Sequence, residues 1–319
     1  MWAFECVEPS QLRPVQTSEP DPDELEDGEV LIRLGAAGIC GSDLAHFRRG
    51  RPPSESAEPL PGWPCHEIVG TVVATRGDLD IGCRVVGWAK GMAGLRQYLV
   101  ADATEVASVT LNWQDALVVP AQLTACVLHA ADRLGDVRGA RVAILGLGAA
   151  GMIFGHVLSE RRAGELTGVD RVDRMAEGHE VGFDVVHHGP VAEWAASRAN
   201  DRPDIIVEAI GHQPDTLNDA ILAAEAQGRI YQFGIPAAGG HAIDMVAFLR
   251  KNLTLMAGTA TTRRTYLERA QRYLGRHPSL ARSLVTLVTS VTNAQSAYLA
   301  SCHPTPSQLK TILVATPSE

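Results

Sequence analysis

The chain has 319 residues, which at ~150 residues per domain is about two domains with a sizeable buried core, so a peptide-sized binder is excluded. Lys and Arg number 28 against 37 Asp and Glu, a net charge of −9, and 45% of residues are hydrophobic against 20% charged; this balance excludes a nucleic-acid binder and a disordered chain. From the N-terminus, MWAFECVEPS carries Glu5 and Glu8 where a signal peptide needs basic residues and then an apolar core. Short β-type runs follow at residues 29–34 (EVLIRL), 68–74 (IVGTVVA), 84–88 (RVVGW) and 97–101 (QYLVA), separated by Gly, Pro and Asp clusters, and predict a small irregular β domain. The acidic stretch 19–29 reads as a solvated loop.

From Arg141 the rhythm becomes strand then helix: RVAILGLG, a helix to about residue 162, ELTGVD, a short helix, FDVVHH, another helix, DIIVEAIG, a helix from 215 to about 226, then GRIYQFG. Alternating β and α units predict a doubly wound parallel sheet with helices on both faces. After LTLMAG (253–258) a helical stretch is expected from 263 to about 287, broken near Pro278, and a final β run at 309–314. The longest run free of charged and strongly polar residues, 142–155, is too short for a bilayer and holds four glycines, so no membrane segment and a cytoplasmic setting are expected. Six cysteines (Cys6, Cys40, Cys65, Cys83, Cys126, Cys302) without a signal sequence are expected as reduced thiols, some available to a metal.

In RVAILGLGAAG, Gly146, Gly148 and Gly151, with Leu147 between the first two, form GxGxxG after a β run and before a helix. The first glycine permits the tight turn, the second lets the backbone approach a pyrophosphate, and the third lets the helix pack on the strand. Asp170 follows Gly151 by 19 residues, where a carboxylate accepts from a ribose 2′-hydroxyl and repels a 2′-phosphate. NAD is expected over NADP, with Arg171 and Arg174 as the neighbours that favour the phosphate. The segment GICGSDLAHFRRG offers Cys40, Asp43 and His46, and PGWPCHEIVG offers Cys65, His66 and Glu67. Thiolate, imidazole and carboxylate are the donors a catalytic zinc uses while keeping one position open.

Taken together, residues 38–46, 64–70, the GxGxxG with its Asp, and LKTIL (309–313) resemble, in matching order, the zinc-containing medium-chain alcohol and polyol dehydrogenases. The resemblance implies a GroES-like catalytic β domain at 1–123, a Rossmann NAD-binding domain at 124–258 and a return to the catalytic domain at 259–319. It further implies Cys40 and His66 as zinc ligands, Glu67 as an adjacent acid that binds the metal in some members, Ser42 as the hydroxyl facing the alcohol, and Asp43 as the carboxylate orienting the histidine. His46 resembles the end of the family's proton relay, one residue later than in common members, and Lys310 the basic residue that reaches the cofactor pyrophosphate. The expected ligands are thus one catalytic zinc and NAD, and the substrate a small alcohol or carbonyl compound.

The departures from the family pattern are informative. Gln122 stands where a third Cys, Glu or Asp ligand is usual, so Glu67 is expected to complete the set, with Cys126 one helical turn on as an outside candidate. Cys65 replaces a glycine, Cys83 interrupts the usual GDRV, and no four-cysteine cluster occurs between residues 82 and 102, so a structural zinc is not expected. Two rival readings are a zinc-free reductase of the same scaffold using NADPH and a catalytically inactive NAD-binding protein. The run 253–258 resembles the last Rossmann strand whose edge pairs across a twofold axis, so a homodimer or homotetramer is expected. FRRGR places Arg48, Arg49 and Arg51 after His46; Arg48 and Arg49 are candidates to recognise an anionic substrate group, against the alternative that the three arginines are a solvated loop.

Overall fold

The chain opens with an antiparallel hairpin, β1 (Trp2–Glu8) and β2 (Gln11–Gln16), in a computed structural model that describes residues 1–50, 61–198, 201–236 and 241–315. There follow β3 (Glu29–Gly38), α1 (Gly41–Arg49), β4 (Glu67–Thr75), β5 (Arg84–Trp88), β6 (Tyr98–Asp102), β7 (Val106–Ser108), α2 (Asp115–Val118) and α3 (Pro120–Leu134). Strand and helix then alternate through β8 (Arg141–Leu145), α4 (Ala149–Glu160), β9 (Glu165–Asp170), α5 (Met175–Glu180), β10 (Val185–His188), α6 (Val191–Ser197), β11 (Ile205–Glu208), α7 (Thr216–Ala223), β12 (Arg229–Gln232), α8 (Met245–Arg250) and β13 (Thr254–Ala257). The last elements are α9 (Arg263–Arg276), α10 (Pro278–Leu284), β14 (Val285–Ser290), α11 (Ala294–Cys302) and β15 (Lys310–Val314). Two units result, one from Met1–Ala125, Thr261–Pro304 and Gln308–Glu319, the other from Cys126–Ala260 and Thr305–Ser307.

In the first unit, among the described residues, strands run β14-β15-β3-β4-β5-β7, with β6 also pairing β3. Val30, Ile32 and Leu34 of β3 pack with Val72, Val85, Leu95 and Leu99, and with Tyr298 of α11, in a dry core. Each such side chain contributes ~1.5–3 kcal/mol by burial. The end of β3 fixes the site: Gly38 is in register with Glu67 on one side and with Ile312 on the other. Three segments far apart in sequence therefore meet at one point.

The second unit carries a parallel sheet in the order β10-β9-β8-β11-β12-β13, with every pair parallel. Ala143, Leu145, Ile206 and Ile230 bury against Trp194, Ala220 and Ile221 of the covering helices. This is the doubly wound arrangement expected from the alternating pattern, and the order reverses beside β8, where the glycine-rich turn begins. One expectation fails locally: the helix predicted to about residue 287 ends at Leu284, and residues 285–290 form β14 on β15. Val285, Thr286, Val288 and Thr289 are β-branched, and pairing with a neighbouring strand decides the conformation there.

Candidate active site

Cys40 caps the start of α1 in extended backbone, and its N–H donates to Asp43 Oδ2 at 3.0 Å. The other oxygen of the fully buried Asp43, Oδ1, lies 2.7 Å from His66 Nδ1. One carboxylate thus orients both segments, and because it accepts from Nδ1–H it leaves Nε2 as the ligand atom His66 can offer. Burial alone would lower the pKa of His66, but the charge and hydrogen bond of Asp43, with Cys40, hold it well above the ordinary value.

Glu67 begins β4 with no exposure, accepts from Lys310 Nζ through Oε1 at 2.5 Å, and keeps Oε2 buried without a hydrogen-bond partner. A Cβ at position 38 would lie 2.5 Å from that Oε2, so glycine is what gives the carboxylate room. The thiol of Cys40, a ring nitrogen of His66 and a carboxylate oxygen of Glu67 lie within 4.8 Å of one another, the one group of this kind among the described residues. An orphaned buried carboxylate oxygen beside a thiol and an imidazole is a donor set that fits a divalent cation. Cys65, next in sequence to His66, is not in that group: its Sγ faces Gly38 O at 3.9 Å, and burial, then the charges of Asp43 and Glu67, push its thiol well up, so it stays protonated.

At the other candidate site Gly146 adopts φ +92°, and a Cβ on Gly151 would lie 2.0 Å from Gly146 O; both positions demand glycine. Gly148 caps α4 with no side chain bonded to the helix start, and a Cβ there would meet nothing within 4 Å, which leaves a cradle at the helix N-terminus that fits a pyrophosphate. Asp170 closes β9 with Oδ2 accepting from Leu147 N–H at 2.6 Å and Oδ1 from Val172 N–H at 2.8 Å. Arg171 is exposed, whereas Arg174 is buried and feels the charge of Asp170. Glu208, which the sequence reading overlooked, ends β11 fully buried and accepts from Ile210 N–H, Gly211 N–H, Thr216 Oγ1 and Gln232 Nε2, tying the loop after β11 to β12. A lone Glu closing the apolar run DIIVE was the available signal.

Residues 26–111 match the alcohol dehydrogenase GroES-like domain. The chain is 23% identical over 262 residues to an L-idonate 5-dehydrogenase (NAD(P)(+)) of Escherichia coli, covering 71% of this chain and 75% of the relative. It is 27% identical over 253 residues to a sorbitol dehydrogenase of Bombyx mori, covering 66% and 71%. An alcohol dehydrogenase of Escherichia coli CFT073 solved with NADH shares its fold at a TM-score of 0.81 and 20% identity, over 98% of this chain and 99% of that one. These likenesses place the chain's fold and its first domain with the medium-chain alcohol and polyol dehydrogenases to which it is similar.

Two basic residues expected to face ligands have partners within the protein. Lys310, expected at the cofactor pyrophosphate, is 2% exposed and engaged with Glu67; burial would lower its pKa, but Glu67 and Cys40 keep it raised, so the pair is ionic. Arg48, expected to bind an anionic substrate, donates instead to Cys302 O at 2.6 Å, where the C-terminal end of α11 favours a cation. Arg49 Nη2 lies 3.4 Å from His46 Nδ1, and Arg51 falls outside the described residues. The His46 ring stands edge-on to Trp63 with centroids 5.3 Å apart. Ser42 is half-buried in the first turn of α1, Gln122 is buried in α3, and Cys126 belongs to the other unit.

Proposed function

We propose that this dehydrogenase holds one zinc on Cys40, His66 and Glu67, prefers NAD, and interconverts a small polyol-type alcohol and its carbonyl compound. The buried, unpartnered Oε2 of Glu67 beside Cys40 and His66 carries the reading. The donor types support it: the Cys40 thiol, the His66 imidazole and the Glu67 carboxylate converge while Lys310 engages only one oxygen of Glu67, a set that suits a divalent cation. When bound, zinc supplies Lewis-acid polarisation of the reacting oxygen, and NAD accepts or returns the hydride.

The chain's own residues do the rest. Asp43 fixes the tautomer of His66 and the start of α1, and Lys310 holds Oε1 so that Glu67 offers only Oε2. Ser42 and His46 are four apart on α1 and share one helix face, so the hydroxyl accepts the substrate proton as it gives up its own, which passes by way of the ribose hydroxyl to the imidazole and solvent. Asp170, its carboxylate set by Leu147 and Val172, selects a free ribose 2′-hydroxyl. The names of the sorbitol and idonate relatives support a polyol substrate, and a reducing cytoplasm keeps the Cys40 thiol available. Outside the enzyme itself, a homodimer through the edge of β13 is proposed.

The test is turnover. Zinc-loaded protein given a panel of polyols should reduce NAD with a kcat/KM at least ~10² above that for NADP, because a 2′-phosphate meets the Asp170 carboxylate. Equal use of both cofactors, or reduction of an activated double bond by metal-free protein with NADPH, would defeat the reading.

A further inference from the structure

Tyr298, on α11, makes no contact with solvent and plays no part in the chemistry above, yet it touches both segments that carry the proposed ligands. Its hydroxyl donates to Pro64 O, two residues before His66, and adjoins the Cys65 thiol. Its ring packs edge-on against Phe47 of α1, with centroids 5.1 Å apart at 62°. Phe47 and Asp43 are four apart and form the buried face of α1, so the ring contact sets the rotation of the helix that aims Asp43 at His66. Arg48 ties the same helix to the end of α11 through Cys302 O.

We propose that Tyr298 is a positioning residue for the metal centre: its ring holds α1, with Cys40 and Asp43, and its hydroxyl holds the Pro64–Glu67 turn, with His66, at the separation the ion needs. The inference rests on the metal reading above. The Gly38–Glu67 register fixes where the two segments start, and beyond it a side chain bonded to one and packed on the other sets how α1 faces residues 64–66. Groups that orient metal ligands from behind typically change affinity 10–100-fold when removed.

The experiment is a Co2+ titration of chelator-stripped full-length protein, read by thiolate-to-cobalt and visible absorption, with melting temperatures taken with and without Co2+. Tyr298→Phe keeps the ring and deletes the hydroxyl; Phe47→Leu loosens the ring contact and keeps the hydroxyl. Tyr231→Phe serves as control, since Tyr231 Oη also donates to a carbonyl, Gly258 O at 3.3 Å, in the other unit. Both site variants should bind Co2+ about tenfold or more weakly, shift the visible bands and show a smaller Co2+-induced rise in melting temperature, while the control matches wild type. Wild-type affinity and spectrum in Tyr298→Phe, with melting temperatures lowered equally with and without metal, would make the residue merely structural and overturn the proposal. A wild-type protein without a thiolate-to-cobalt band, or one whose band survives Cys40→Ser, would remove the metal reading and the proposal together.

Discussion

Lysine occurs three times among 28 basic residues, and each ammonium meets specific oxygens: Lys90 meets Glu29, Lys251 the Ile221, Leu222 and Ala224 carbonyls at the end of α7, and Lys310 meets Glu67. Only the last pair is fully buried, and a buried charge that loses its partner costs ~3–5 kcal/mol. Lys310→Met should therefore lower the unfolding free energy of metal-free protein by about that amount in urea, and zinc should restore part of it because Oε2 still offers a site. An unchanged midpoint without metal would contradict the buried ion pair. His66 gives a pH dependence of definite sign. Its folded pKa is raised, so the Asp43–His66 pair stabilises fully below the free-histidine value of ~6.5 and is lost as pH rises through the raised value. In metal-free protein the stability gap between wild type and Asp43→Asn should be widest at acidic pH and narrow on the alkaline side; a gap that widens with pH would contradict the assignment.

The β8–α4–β9 element was legible because its constraints are local. GxGxxG, the apolar run before it and the Asp that ends the next strand lie within one 30-residue unit, and the structure has the run as β8, the glycines at the start of α4 and the Asp at the end of β9; the Asp170–Leu147 hydrogen bond is an addition from the structure. Asp170→Ala should accordingly cut the NAD preference by ~10², measured as the ratio of kcat/KM for NAD and NADP; a ratio that does not move would transfer selectivity to Arg171 or Arg174. Helix α1 was harder to read, since its core-facing residues are one Asp and one Phe amid polar neighbours. The roles of Arg48 and Lys310 were not legible at all. Their partners, Cys302 and Glu67, lie 254 and 243 residues away, and nothing in a local pattern says which distant carbonyl or carboxylate a long basic side chain will find. The metal-site donors were legible as residue types, while the register of Gly38 with Glu67, which brings them together, is a property of the sheet.

At the scale of the whole molecule, the parallel sheet ends at β13, where Leu255 is 37% exposed and the outer edge has no strand beside it among the described residues. Exposed Met245, Val246 and Leu249 of α8 add apolar surface in the same unit. An open apolar edge invites pairing, so light scattering at micromolar concentration should return a dimer or a multiple of it, and Leu255→Lys should shift it toward monomer; a wild-type monomer would contradict this. No helix among the described residues is long and apolar enough to cross a membrane. The central claim, that Cys40, His66 and Glu67 hold one catalytic zinc, is tested most directly by elemental analysis of purified wild type and Cys40→Ser, with NADH binding measured on both. The expected result is one zinc per chain in wild type, none in Cys40→Ser, and NADH binding retained in both. Zinc absent from wild type, present at two per chain, or undiminished in Cys40→Ser would contradict the account.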